Sequence, residues 1–357
     1  MSRGSRRATV SAPANIALVK YWGARDLKRA LPYHPSISMT LEVCRTVTTV
    51  ELAPALETDE IWFAAGAAAH PEPAPEAFAR RVRAHLDRVW TRLQGVSCGR
   101  PAFRVATRNT FPAAAGLASS ASGFAALAAA ACRTLGVDAG ARELSVLARL
   151  SGSGSAARSV FGGFVEWPAE GAPAAGAAPA EENPDAPAAQ LAPAAAWRLS
   201  CVVAIVEDGP KEVSSREGHR LAPTSPHFAR RLELVPERLE TVRRAIRDRD
   251  LDLLGPVLER DAVELHAVAM TSEPPIFYWR PPTLEVLSEV RRLRGLGTGA
   301  WATMDAGANV HVLCTPEDEP RVAAALEAVP GVRDVLRDRV GDGPRDETLD
   351  LLAEADR

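Results

Sequence analysis

From Gly116 the chain reads GLASSASGFAALAAAACRTLG, and this run restricts the fold more than any other. Alanine is the strongest helix former, so the segment predicts a helix ended by Gly136. With so little polar surface, that helix belongs in an interior. It is entered through Pro112, Ala115, Gly116, Leu117, Ala118, Ser119 and Ser120, all but Leu117 small or hydroxyl-bearing. Unpaired amides at a helix N-terminus carry the positive end of the dipole, and small side chains let a polyphosphate come close, so the entry is an anion cradle in prospect. A start chosen for close packing and capping explains the same residues. It is not a Walker sequence, because no lysine follows the hydroxyl pair.

The segments around this helix read as α+β. Residues 8–19 and 36–53 are rich in β-branched residues, and TVTTVEL alternates polar with apolar, as strands facing a core do. The first 110 residues read mainly as β, with one helix near 75–94. ARELSVLARLSG predicts a second helix after the alanine-rich one. Residues 168–196 are low-complexity Pro, Ala and Gly, which lack large side chains to bury and read as a surface loop or flap. Beyond them, WRLSCVVAIVEDGP reads as a strand, 226–269 as long amphipathic helices, PTLEVLSEVRRLRGLG as a further helix, and TGAWATMDAGANVHVLC as two strands joined by a tight turn. The expected division is 1–197 and 198–357, with 168–196 as a flexible loop in the first part.

Three further clusters could carry chemistry. Ser151, Gly152, Ser153, Gly154, Ser155 and Arg158 put hydroxyls and a guanidinium fork within one or two turns, donors suited to carboxylate or phosphate, or simply a loop. Asn15, Lys20 and Tyr21 fall at the end of an apparent buried strand, where scaffolds present functional groups and where a lysine can equally be merely solvated. Asp305 lies in a turn between apolar strands, where it can satisfy the turn's own amides or face a substrate hydroxyl.

Composition removes other classes. With 42 basic against 45 acidic residues and a net charge of −3, a global nucleic-acid-binding surface is not expected. No apolar run reaches the length of a membrane span, and the first residues lack a signal core. The five cysteines, Cys44, Cys98, Cys132, Cys201 and Cys314, are scattered, which suits a reducing cytoplasm and suggests neither disulfides nor a zinc site. The histidines show no metal-ligand spacing.

The phrases NIALVKYWGARD, FPAAAGLASSASGFAAL, GSGSAARSVFGGFVEW, EVSSREG and TMDAGANV, in that order, resemble the galactokinase, homoserine kinase, mevalonate kinase and phosphomevalonate kinase superfamily, and within it the diphosphomevalonate decarboxylases. The resemblance implies a two-lobed GHMP-kinase-like α+β fold, with a ribosomal-protein-S5-like N-terminal lobe, an α/β C-terminal lobe and the active-site cleft between them. It implies ATP along the Gly116–Ser120 loop with Mg2+, carried near Ser120, and a homodimer acting on a small molecule. In that reaction ATP phosphorylates a tertiary 3-hydroxyl, phosphate departs, and carbon dioxide is lost to form isopentenyl diphosphate. By position, Asp305 matches the aspartate at that hydroxyl and Lys20 a lysine near the transferring phosphate. Asn15 and Arg158 match residues that hold the substrate carboxylate. Tyr21, Ser153, Gly154, Ser155 and Arg216 match the surroundings of the 5-phosphate end.

Two departures bear on the substrate. The family usually reads KYWGKRD, and its second lysine helps hold the diphosphate; here that position is Ala24, which removes one charge-assisted contact. The PYHPSIS segment with His34, and Tyr278-Trp279-Arg280-Pro281, look more like decarboxylases that accept mevalonate 5-phosphate and give isopentenyl phosphate. Arg216 and the full GSGSAARS run keep the diphosphate pattern and favour mevalonate 5-diphosphate. A 3-hydroxyl kinase without decarboxylation, and a non-catalytic nucleotide-binding regulator, are the remaining alternatives.

Overall fold

A computed structural model describes residues 6–95, 99–111, 119–168, 185–209 and 211–357. The first lobe is built on two long antiparallel strands, β1 (Arg7–Val19) and β4 (Ser36–Leu52), with a short hairpin of β2 (Ala24–Asp26) and β3 (Leu31–Pro32) between them in sequence. The strand β7 (Phe103–Asn109) pairs with β4, and β5 (Glu60–Ala64) lies parallel to β7, the crossover being α1 (Glu76–Gln94); β6 (Glu72–Pro73) closes that edge. The other half of β4 pairs with β8 (Phe164–Trp167), which carries β9 (Ala189–Ala192).

Within the low-complexity stretch read from composition as a loop, Ala189–Ala192 is therefore an edge strand, and Ala186 and Ala188 are buried. Backbone pairing to β8, with Ser145 Oγ accepting the Ala188 N–H at 2.8 Å, supplies the order that small side chains cannot. Residues 169–184 of that stretch lie outside the described residues.

The alanine-rich helix is α2 (Ser119–Leu135), packed across β1 and β4, and α3 (Ala141–Arg149) lies against it. Ala125, Ala126 and Ala128 to Ala131 are all buried. Methyl groups let the helix axis approach the sheet closely, and a larger side chain at such a site overpacks the interior at a cost of about 1–3 kcal/mol. Thr134 Oγ1 donates to the Val50 carbonyl at 2.9 Å, and Ser122 Oγ lies 2.6 Å from Thr46 Oγ1, so the few polar groups on the helix bond directly to β4.

The second lobe is a four-stranded antiparallel sheet in the order β11 (Ala300–Thr303), β12 (Val310–Cys314), β10 (Ser200–Ile205) and β13 (Asp334–Arg339). Around it lie α4 (Ser215–Leu221), α5 (Phe228–Asp248), α6 (Leu251–Met270), α7 (Pro281–Gly295) and α8 (Glu319–Glu327). The chain then returns to the first lobe: β14 (Arg345–Asp346) pairs with β1, and α9 (Leu351–Ala355) packs on β7.

The lobes share one apolar core, in which Ile16, Leu18 and Met39 meet Cys201, Val203, Val235 and Leu239. A polar clasp reinforces the joint. The β1–β4 register jumps between Pro13–Arg45 and Asn15–Thr40, and the bulged β4 amides of Glu42, Val43 and Cys44 all donate to the buried Asp338 carboxylate of β13 at 2.8–2.9 Å. Bulges leave ladder groups unpaired, and here the opposite lobe satisfies them.

Candidate active site

A cleft of about 850 Å³ separates the lobes, and into it project residues from β1, α1, α2, the Ser151–Arg158 segment, α4 and the β11–β12 turn. Lys20 follows directly on β1. Its backbone N–H donates to Asp261 Oδ2 at 2.7 Å, and its Nζ donates to Asp305 Oδ1 at 2.7 Å. The lysine is 1% exposed while the Asp305 side chain is 28% exposed, so the pair has a closed cationic side and an open anionic side. Burial pushes the Asp305 carboxyl up, but the Lys20 ammonium more than offsets this and leaves its pKa below the ordinary value. Asp305 is thus an ionised hydrogen-bond acceptor facing the cleft at neutral pH.

Arg158 and Asn15 form the next part of the wall. Asn15 Nδ2 donates to Ser159 Oγ at 2.8 Å, and its Oδ1 accepts from Arg158 Nε and Nη2 at 3.3 and 3.2 Å. Arg158 Nη1 bonds to Ser36 Oγ. These partners of the guanidinium are neutral oxygens, so they orient the charge without cancelling it. Burial pushes the Arg158 pKa down to about 10, which still leaves it charged at pH 7. Among the described residues no carboxylate is bonded to it, Asp305 acting on it only through the field; a buried cation so placed is a receptor for an anion, and its planar fork suits a carboxylate.

Tyr21, Ser153, Gly154, Ser155 and Arg216 all line the cleft. The Tyr21 ring meets the edge of Trp167 at 5.4 Å between centroids, and a Cβ on Gly154 would strike both rings at 2.6 Å, so only glycine admits this approach. Burial raises the Tyr21 phenol well above its usual range, which keeps it a neutral donor. Ser153 Oγ and Ser155 Oγ stand 3.1 Å apart. The Arg216 guanidinium approaches Gly152, whose φ of +82° places its backbone in the left-handed region. Ser119 and Ser120, at the start of α2, line the cleft as well. Pro112, Ala115, Gly116, Leu117 and Ala118 lie outside the described residues.

Several wall residues carry no signal of their own in the sequence. Lys211, which precedes the EVSSREG run, donates from Nζ to the Ala306 carbonyl beside Asp305; burial lowers its pKa from the usual lysine value, against the pull of Asp305 and Glu207. Arg81 of α1 enters the cleft over the Phe124 ring, and burial and the nearby Arg216 both lower its pKa. Neither Arg81 nor Arg216 has a carboxylate partner among the described residues. Only the recurrence of Arg80, Arg81 and Arg88 on one helix marks that face in the sequence.

The donor set fits a polyphosphate. Lys20, Lys211, Arg81 and Arg216 offer positive charge, with Ser119 and Ser120 beside them. Among the described residues no group of three or more His, Cys, Asp or Glu side chains is placed to hold a metal ion. No helix among the described residues is long and apolar enough to cross a membrane.

Comparison with known proteins bears on this geometry. Residues 12–177 match the family model of a diphosphomevalonate decarboxylase-like N-terminal domain, and 201–349 that of a mevalonate 5-diphosphate decarboxylase C-terminal domain. The diphosphomevalonate decarboxylase of Candida albicans is 32% identical over 369 residues, covering 96% of this chain and 99% of that protein. That of Saccharomyces cerevisiae is 34% identical over 332 residues, covering 89% and 80%. The crystal structure of mevalonate diphosphate decarboxylase from Staphylococcus aureus superposes with a TM-score of 0.84 at 30% identity, covering 96% of this chain and 98% of that one. A structure described as MDDEF in complex with MVAPP, AMPPCP and magnesium superposes with a TM-score of 0.82 at 32% identity, covering the same shares.

Proposed function

The chain belongs to the diphosphomevalonate decarboxylase family, and from that premise we propose that it converts mevalonate 5-diphosphate and ATP into isopentenyl diphosphate, ADP, phosphate and carbon dioxide. The observation that carries this reading is the Lys20–Asp305 pair, which places an ionised carboxylate in the cleft near the buried Arg158 cation. Asp305 takes the hydrogen bond of the tertiary 3-hydroxyl. Arg158, oriented by Asn15, holds the substrate carboxylate that will leave as carbon dioxide, its bonding electrons forming the new carbon–carbon double bond as the C3 oxygen departs with phosphate. Tyr21, Ser153, Gly154, Ser155 and Arg216 receive the 5-phosphorylated end. ATP, held along the Pro112–Ser120 segment with Mg2+, supplies the phosphoryl group when bound; Lys20 offers a fixed positive charge of the kind that stabilises such transfers.

A second reading rests on Ala24. By the family pattern KYWGKRD the resemblance places a lysine there, and the missing charge favours a monophosphate, which would make the product isopentenyl phosphate. ATP-dependent carbon dioxide release from mevalonate, mevalonate 5-phosphate and mevalonate 5-diphosphate, measured in parallel, tests both. Preference for the diphosphate supports the main reading, preference for the monophosphate selects the second, and ADP formation without carbon dioxide overturns both in favour of a kinase.

The family resemblance also supports a homodimer, which light scattering on purified protein tests. Cys44, Cys132, Cys201 and Cys314 are buried and unpaired, which supports a reducing, cytoplasmic setting.

A further inference from the structure

His219 lines the same cleft on α4, one turn from Arg216, and has no part in the reaction outlined above. Its ring lies on Tyr21, with centroids 4.1 Å apart and planes at 31°, and 5.1 Å from Trp22. The Gly23 N–H donates to its Nδ1 at 3.1 Å. That donor is rigidly placed: Gly23 has φ +87°, and a Cβ there would strike Phe228 at 2.5 Å. The helix beneath is seated just as closely, since a Cβ on Gly218 would meet Trp22 at 2.2 Å. A first-lobe turn and a second-lobe helix are thus pinned at the point where the ring sits.

The hydrogen bond decides the chemistry of the ring. A neutral imidazole that accepts at Nδ1 carries its proton on Nε2. Burial, with smaller contributions from His34 and Arg158, pushes the His219 pKa down to about 3, so the ring is uncharged at neutral pH. The residue is only partly buried, and its ring lines the cleft. What remains is one N–H, fixed in direction, on a ring that borders Tyr21 and Arg158 in the cleft. It also adjoins the Gly23–Ala24 step.

We propose that His219 is a specificity-determining residue for the 5-phosphorylated end of the substrate, its Nε2–H being a fixed, uncharged donor to a phosphate oxygen there. This rests on the decarboxylase reading of the cleft. An uncharged donor suits the place, because a protonated ring would be repelled by Arg158 and Arg216, whereas the neutral ring adds a directional bond at no such cost. Loss of a hydrogen bond to a charged group corresponds to about tenfold or more in affinity.

Three substitutions separate the two nitrogens. His219→Asn keeps an acceptor near the Gly23 amide and removes the distal donor, His219→Gln restores a donor at the distal position, and His219→Phe keeps only the ring. Expected is a KM for mevalonate 5-diphosphate raised about tenfold in His219→Asn and His219→Phe, with kcat and the KM for ATP little changed, and recovery in His219→Gln. A wild-type KM in His219→Asn, or a fall in kcat at constant KM, would overturn the assignment and leave the ring as a latch between lobes. Calorimetric titration of mevalonate 5-diphosphate without ATP reads the same contact independently of turnover. Tight binding by a wild-type protein that releases no carbon dioxide would sink the proposed reaction and leave the contact standing; equal affinity of wild type and His219→Asn would do the reverse.

Discussion

Asp261 and Asp305 both bond to Lys20, one at its backbone N–H and the other at its ammonium, and both are held below the ordinary carboxyl pKa by neighbouring cations against the upward push of burial. Their surroundings differ. Asp261 is fully buried on α6 and accepts a bidentate fork from Arg231 at 3.0 and 3.1 Å, and Arg238 at 2.9 Å. Asp305 is bonded to one cation, Lys20, with Lys211 acting on it only through the field, and it has an open face. A carboxylate whose acceptor sites are all used can only hold structure; one with a lone pair left over, aimed into a cleft, can also act on a ligand. Lys20 links the two, so the buried cluster sets where the reactive pair stands.

The largest effect expected from this contrast is on turnover. Asp305→Asn keeps an acceptor and removes the charge, and kcat should fall about 10³-fold, with a smaller loss of stability than at Asp261 because the buried Lys20 ammonium keeps an amide oxygen to bond; steady-state carbon dioxide release and thermal unfolding check both. Asp261→Asn should do the opposite, costing about 3–5 kcal/mol of stability by leaving two buried guanidinium groups with only the partly exposed Glu264 as carboxylate, read by urea unfolding. An Asp305→Asn protein with near-normal turnover would remove its assignment, and an Asp261→Asn protein of wild-type stability would break the comparison itself.

Lys20→Met tests the link. In the wild type the ammonium keeps Asp305 ionised to below the usual carboxyl pKa, so the acidic limb of kcat/KM lies at low pH. Without it, only the weaker influences of His311 and Lys211 oppose burial, and the carboxyl pKa rises. The acidic limb should therefore move to higher pH, along with a fall in kcat of about 10²-fold from the lost positive charge. A lower rate with an unmoved limb would mean that Lys20 serves the phosphate and not the carboxylate.

Much of this was legible before any coordinates, for reasons that differ between regions. The alanine-rich helix, the paired long strands and the Asp305 turn announce themselves through composition and period, which are local properties. The return of Arg345–Asp346 to β1, and the edge strand Ala189–Ala192, depend on pairing with distant backbone and leave no local trace. At the site, Asn15, Lys20, Arg158 and Asp305 sit in compact motifs, and the structure brings them together in one cleft. Lys211, Arg81 and His219 do not, because a helix face or loop end has no readable direction until its neighbours are placed. The Asp261–Arg231–Arg238 cluster was hidden for the same reason: its charges look like the solvated side of amphipathic helices, and only the packing of α5 on α6 turns them inward.

The smallest effect concerns the far end of the cleft. Ala24 is half-buried at the start of β2 and pairs with Pro32, next to the Gly23 amide that orients His219. Arg216 and Arg81 already stand in the cleft without carboxylate partners among the described residues, so positive charge is present without a lysine at position 24. Ala24→Lys adds a further cation on a flexible stem. If the resident arginines already neutralise the distal phosphate, the new charge should lower the KM for mevalonate 5-diphosphate only about two- to threefold, the scale of a solvated ion pair. If they do not reach it, the gain should approach the tenfold or more of a charge-assisted bond, and the preference for diphosphate over monophosphate should rise with it. The ratio of kcat/KM for the two substrates, in wild type and Ala24→Lys, separates these cases, and it does so without disturbing either Asp261 or Asp305.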